Sequence, residues 1–162
     1  MGQYTQVDPI GLAGGNPTLY GYVKDTNFQV DLYGLDWNYI LRDVLGNVYY
    51  HGRASDNATL ADITRRHSNT IGSDGARFGP TDVIERTTPV GTDPDIVRGI
   101  EQRGIQENEL LGRGNENVRG NKINSISETN QQTRTGQHRL NEADKYLDGR
   151  KPSELNVKCP RR

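Results

Sequence analysis

The run WNYILRDVLGNVYYHGRAS, residues 37 to 55, constrains the fold more than any other stretch, because it holds two β-prone segments around Leu45-Gly46-Asn47. Gly-Asn between such segments signals a two-residue hairpin loop, since both residues tolerate the backbone angles that the bend requires. With Gly46 and Asn47 as the loop, Val44 is expected opposite Tyr49, Asp43 opposite Tyr50 and Leu41 opposite Gly52. Side chains alternate along a strand, so Tyr39, Leu41, Tyr50 and Gly52 fall on one face and Ile40, Arg42, Tyr49 and His51 on the other. Two phenols on neighbouring strands then point the same way. Cross-strand tyrosines serve most often as core aromatics, and that role stays open at this point.

Three further elements follow from periodicity. NATLADITRRHSNT reads as a helix from near Thr59, with Asp56 or Asn57 as its cap and Leu60, Ala61 and Ile63 as its buried side. It ends in Arg65-Arg66-His67, where cations oppose the helix dipole favourably. Residues 68 to 94 are rich in Gly, Ser, Thr and Pro, with a short strand at TDVIERT. DPDIVRGIEQRGIQENELL is predicted helical, with Pro94 at its start and an apolar stripe of Ile96, Val97, Ile100 and Ile105. Glu101 sits beside that stripe, as a snorkelling surface group or as a site residue. Residues 112 to 139 read as an extended loop with a short KINSI element. RLNEADKYLDGRK then forms a short amphipathic helix through Leu140, Ala143 and Leu147, and residues 152 to 162 are expected to be unpacked.

The chain of 162 residues suffices for one domain core plus an adaptor or tail. A hydrophobic content of 31% with 19 glycines places it on the polar, loop-rich side of globular composition. No apolar run is long enough to cross a bilayer and no charged-then-apolar leader follows Met1, so a soluble chain exported by other machinery is expected. The single cysteine, Cys159, has no internal partner for a disulfide and reads as an incidental thiol. Charge is unevenly spread: residues 110 to 162 hold eleven Lys and Arg against six Asp and Glu. That basic third is either a footprint for a polyanion or a solvated tail.

The front of the chain is organised differently. DPIGL at residues 8 to 12 returns as DLYGL at residues 31 to 35, and GGNP reads as a turn beside the short strand TLYGYV. QYTQVDPIGLAGGNPTLYGYVKD resembles the end of an Rhs/YD-repeat core, in which a large β shell encloses a variable C-terminal toxin. The resemblance implies that residues 1 to 35 are an irregular core remnant and that the payload starts near Asp36. It also implies that Asp8 and Asp31 are the paired aspartates of an autoproteolytic site cutting after Leu35, since two carboxylates sharing a proton can serve as acid and base. Leu32 stands where that family has proline, and a chain with so little of the shell is not expected to cut itself.

The payload resembles the GIY-YIG nuclease family over roughly residues 37 to 130. NYI with Tyr39 and YHG with Tyr50 stand in the places of the two motifs eleven residues apart, followed by a helix with Arg and His, a helix with Glu101 and the Asn-bearing GNKINSISETN. The first motif's glycine is missing, and Ile63 stands where the family places its arginine. The resemblance implies an α+β fold over residues 36 to 150, a β-hairpin within a three-stranded antiparallel sheet flanked by helices, with a basic tail over 151 to 162. It implies a DNase whose site draws on Tyr39, Tyr50, Arg65 or Arg66, His67, Glu101, and Asn121 or Asn124, with Glu101 holding Mg²⁺ or Mn²⁺. Such a group has a chemical rationale, because phosphodiester hydrolysis needs an in-line water, charge relief on the phosphate and help for the leaving oxygen.

The two resemblances together imply an antibacterial effector, loaded by a type VI or related secretion system, delivered to the target-cell cytoplasm and neutralised by a cognate immunity protein. The alternative is a non-nucleolytic toxin, an ADP-ribosyl- or nucleotidyl-transferase acting on protein or RNA through Tyr49, His51 and Glu101. An inert interaction module is the third class.

Overall fold

Strand β1 (Asp36–Arg42) lies at the centre of a three-stranded antiparallel sheet of order β2-β1-β5, with β2 (Val48–Ser55) and β5 (Val83–Arg86) at its sides. This computed structural model describes residues 36–72, 75–107 and 119–157, all within the unit Gly34–Arg162. The expectations for Asp8, Asp31, Leu35 and Cys159 therefore lie outside the described residues. Between β2 and β5 come α1 (Leu60–Ser68) and the short pair β3 (Ile71–Gly72) and β4 (Gly75–Ala76). After β5 come α2 (Pro94–Glu107), α3 (Glu128–Gln131) and α4 (Arg134–Leu147). The described residues thus form an α+β domain with one three-stranded antiparallel sheet and four helices.

The hairpin forms, but not around a two-residue bend. Leu41 pairs with Tyr50 and Tyr39 with Gly52, while Arg42 pairs with Val48, so the loop runs through the five residues from 43 to 47. The Asp43 carboxylate closes that loop: Oδ1 accepts from the amides of Leu45 and Asn47, and Oδ2 from the Asn47 side chain. These bonds hold its pKa below the ordinary carboxylate value, led by the Asn47 side chain. An odd loop inverts the facing of the second strand unless one residue is added. The register shift beside Leu41 adds it, leaving Tyr49 outside the ladder pairs. Tyr39, Leu41, Tyr50 and Gly52 therefore share a face as the sequence implies, in a register displaced by two. Tyr49 departs from the expected face: like Tyr50, it packs against the cluster of Trp37, Tyr39, Leu41, Ala54 and Ile63.

That cluster joins one sheet face to α1. The helix is capped by Thr59 rather than Asp56 or Asn57, in a reciprocal arrangement with Asp62. Its inward residues are Ile63 and His67, four apart, whereas Leu60 and Ala61 face outward. The other sheet face meets α2. The buried Asn38 donates from Nδ2 to the Val97 carbonyl (2.9 Å), and behind α2 the side chains of Ile100, Ala143, Leu147 and Leu155 form a second apolar cluster.

Helix α4 begins at Arg134, five residues before the predicted RLNEADKYL segment, because the Thr133 hydroxyl accepts from the Gly136 amide (3.1 Å) and caps it. Nor is the end of the described chain unpacked. Pro152 and Leu155 are buried, and the Val157 amide donates to the Arg86 carbonyl (3.3 Å).

Candidate active site

Gly52 explains how the two tyrosines come together. A Cβ built on it would lie 2.3 Å from the Tyr39 ring, so the phenol of β1 crosses the bare backbone of β2 at the one residue without a side chain. Tyr39 thereby reaches across β2 to α1, where its hydroxyl and Nε2 of His67 are 2.8 Å apart. Tyr50 stacks beside it with ring centroids 6.2 Å apart, and the His67 ring meets Tyr50 edge-on at 4.7 Å. Three elements, β1, β2 and α1, thus contribute one aromatic cluster.

Burial raises the Tyr39 phenol far above its ordinary pKa, aided by the neighbouring Tyr50 and by the charge of Glu101. Tyr50 is raised as well, first by burial and then by Glu101, while Arg77, hydrogen bonding with Tyr39, and Arg66 pull it back down. His67 is pushed down to about 4 by burial and by the charges of Arg77 and Arg66, so it is neutral at physiological pH.

Glu101 enters from α2. Its side chain is 12% exposed, and Oε2 receives the Ser125 hydroxyl at 2.6 Å and Nε of Arg53 at 3.2 Å. Burial raises its pKa, opposed by Ser125, Arg53 and Arg98. Both contacts fall on Oε2, leaving Oε1 with no hydrogen-bond partner among the described residues. A carboxylate oxygen so placed suits a hard divalent cation that keeps most of its own waters. Mg²⁺ or Mn²⁺ is consistent with this donor set.

The remaining expected site residues are placed as follows. Arg65 is 74% exposed and turned to Asp62, 2.6 Å away. Arg66 is exposed too, lining with Asn57, Asp62 and Asn69 an open concavity of about 400 Å³, yet its charge acts on Tyr39, Tyr50 and His67. Asn121 and Asn124 brace the scaffold. The Asn121 side chain accepts from the His51 amide (3.0 Å) and donates to the His51 carbonyl (2.7 Å), standing in for a neighbouring strand at the outer edge of β2. Asn124 Oδ1 accepts from Gln102 Nε2 (2.9 Å), tying the Ser125 segment to α2.

Four groups beside this cluster were not singled out from the sequence: Arg53, Arg77, Arg98 and Ser125. Arg53 was legible in principle, since it lies two residues from His51 on the strand face that α2 covers. Arg77 carries no such signal. It arrives from the segment after β4, with Cζ 4.9 Å from the centre of the Tyr50 ring and Nη1 3.4 Å from His67 Nδ1.

The class that fold and site define is a small α+β domain with a cluster of two tyrosines and a neutral histidine, a half-buried carboxylate on α2, and arginines around them. No protein-family model, curated protein or solved structure matches this chain.

Proposed function

We propose that this chain is a metal-dependent endonuclease of GIY-YIG type acting on DNA, carried as the C-terminal toxin of an Rhs-family effector. The observation that carries the reading is the meeting of Tyr39, Tyr50 and His67, from β1, β2 and α1, with the charge of Glu101 on α2 acting on both phenols. The resemblance of residues 1 to 35 to the end of an Rhs shell adds the context of delivery, a cognate immunity protein and a target-cell cytoplasm.

In this reading Tyr39 and Tyr50 hold and orient the attacking water; burial raises both phenols, and at Tyr50 the charges of Arg77 and Arg66 offset part of that rise. His67, neutral, fixes Tyr39 through the 2.8 Å contact rather than acting as a cation. Arg66 supplies permanent charge for the phosphate, and its planar guanidinium suits two oxygens at once. Glu101 holds the divalent ion, which when bound polarises the phosphoryl oxygens and eases departure of the leaving oxygen.

A transferase using Tyr49, His51 and Glu101 fits the geometry less well. His51 packs against Gly104 on the α2 side, while the Tyr49 hydroxyl donates to Asp82 Oδ2 (2.9 Å) among residues that pack on the α1 side.

The test is incubation of supercoiled plasmid with the purified full chain, made cell-free, in Mg²⁺ and in EDTA. Nicked or linear DNA is expected with Mg²⁺ alone, and Glu101→Ala or Tyr50→Phe is expected to cut it at least about 100-fold more slowly, the usual scale of losing an acid–base or charge-stabilising group. Cutting that persists in EDTA, or in both variants, removes the proposal.

A further inference from the structure

Arg77 is held more firmly than a surface arginine requires. Its amide donates to the Thr70 carbonyl (2.9 Å), and its carbonyl accepts from Nη1 of Arg119 (3.3 Å) and lies 3.1 Å from the Tyr49 hydroxyl, whose single proton it shares with Asp82. The same two donors converge on Asp82, whose side chain is 4% exposed and whose Oδ2 also accepts from the Gly79 amide (2.7 Å). Arg119 covers the Tyr49 ring at 4.1 Å. The residue that bulges out of β2 thus anchors the loop that carries Arg77, while its neighbour Tyr50 lies beneath the Arg77 guanidinium.

We propose that Arg77 is a positioning residue that selects the Nε2–H form of His67 and so sets the direction of the hydrogen bond to Tyr39. A guanidinium has donors and no acceptor, and a neutral imidazole accepts at one nitrogen and donates at the other. With Arg77 Nη1 donating to Nδ1 across 3.4 Å, the ring proton resides on Nε2. Nε2–H then donates to the Tyr39 oxygen across 2.8 Å. The opposite form sets an N–H of the ring against an N–H of the guanidinium. Burial and the Arg77 charge both oppose a second ring proton, so only the two neutral forms compete. Because the Tyr39 oxygen receives from His67, its own proton turns away from the ring, toward the stacked Tyr50. The sense of the chain, from Arg77 through His67 to Tyr39, is fixed by the one member that can only donate.

The consequence for catalysis rests on the nuclease reading, but the assignment of the proton does not. The experiment is nitrogen-15 NMR of the full chain labelled at histidine, in which protonated and bare ring nitrogens resonate far apart. The chain has three histidines, so the His67→Gln spectrum identifies the His67 signals by their loss. Expected are a protonated Nε2 and a bare Nδ1 in the wild type. Arg77→Met, which has no donor, is expected to shift His67 to a mixture of forms or to Nδ1–H, with His51 and His138 unmoved. Arg77→Lys, again donor-only, is expected to restore Nε2–H. A wild-type spectrum showing Nδ1–H overturns the inference without any variant, and so does an Arg77→Met spectrum with Nε2–H intact. On plasmid, Arg77→Met is expected to lose about 10- to 100-fold in rate, with Lys recovering most of it. A correct proton assignment together with an untouched plasmid supports this inference and sinks the nuclease reading instead.

Discussion

The two sides of the sheet solve the same burial problem with different materials. Toward α1, the interior holds Trp37, Tyr39, Leu41, Ala54 and Ile63, but also the His67 ring, the Tyr39 hydroxyl and the nearby Arg77 and Arg86 guanidiniums. Where α2 packs on α4 the interior is hydrocarbon, Ile100, Ala143, Leu147 and Leu155, with polar side chains such as Arg103 and Asp144 pairing outside it at 2.6 Å, although Asn38 and His51 are buried where α2 meets the sheet. There the backbones approach so closely that a Cβ on Gly99 would lie 2.2 Å from the Arg139 carbonyl. Tyr39, His67 and Arg77 bond one another in the first region, while Arg86 Nε is buried there without a hydrogen-bond partner among the described residues; such bonds fix geometry while adding little net stability. Apolar area in the second carries no such offset. The α2–α4 hydrocarbon and the Tyr39–His67 pair are therefore separable, although Glu101 reaches the site from α2.

The largest expected stability effect is on the hydrocarbon side. Leu147→Ala is expected to lower unfolding free energy by about 2–5 kcal/mol in urea titration, as large-to-small core changes do. Plasmid cutting, measured at a temperature where the variant stays folded, is expected to remain at the wild-type rate. Loss of cutting in the folded variant would show the two sides to be coupled.

A smaller cost in stability with a larger cost in function is expected across the sheet. Gly52→Ala sets a methyl group against the Tyr39 ring, and overpacking of this kind costs about 1–3 kcal/mol. The ring has to leave its place over β2, taking the hydroxyl away from His67, so cutting is expected to fall at least about 100-fold, as when an acid–base group is lost. Gly52→Ala protein that is destabilised yet cuts normally would remove Tyr39 from the machinery.

The same division explains what the sequence made legible. Alternation with period two places Tyr39 and Tyr50 on one face whatever the loop length, provided the ladder's parity is kept, and the bulge at Tyr49 keeps it. The loop itself was misread because Gly-Asn was weighed without Asp43, whose carboxylate takes three hydrogen bonds and favours the longer turn. The apolar stripe of α2 was legible through Val97, Ile100 and Ile105, each buried. On α1 hydrophobicity misled, since the inward partner of Ile63 is a histidine rather than Leu60 or Ala61. The first turns of α4 are polar, so only the Thr133 cap marked its start. Arg77 and Ser125 reach the site through chain returns that no local pattern encodes.

The two sides can also be compared by titration, because each buries one neutral histidine. His67 on the α1 side is pushed down to about 4 and His51 on the α2 side to about 3, both first by burial, from an ordinary value near 6.5. Below pH 6.5 the unfolded chain binds protons that the folded chain refuses, so stability falls as pH drops through this window. Each fully responding histidine contributes a slope of about 1.4 kcal/mol per pH unit. Glu101 acts in the opposite sense, since its raised pKa lets the folded state keep a proton that the unfolded chain has lost. The raw curve mixes these terms, and the difference between variants separates them. In urea titrations between pH 6.5 and 4.5, His67→Gln is expected to flatten the wild-type slope by up to about 1.4 kcal/mol per pH unit, while a histidine left exposed would flatten it by nothing. Equal slopes in the two proteins would mean that His67 takes up its proton inside the fold. Nδ1 would then donate rather than accept, and the polar side of the sheet would lose the neutral ring on which its geometry depends.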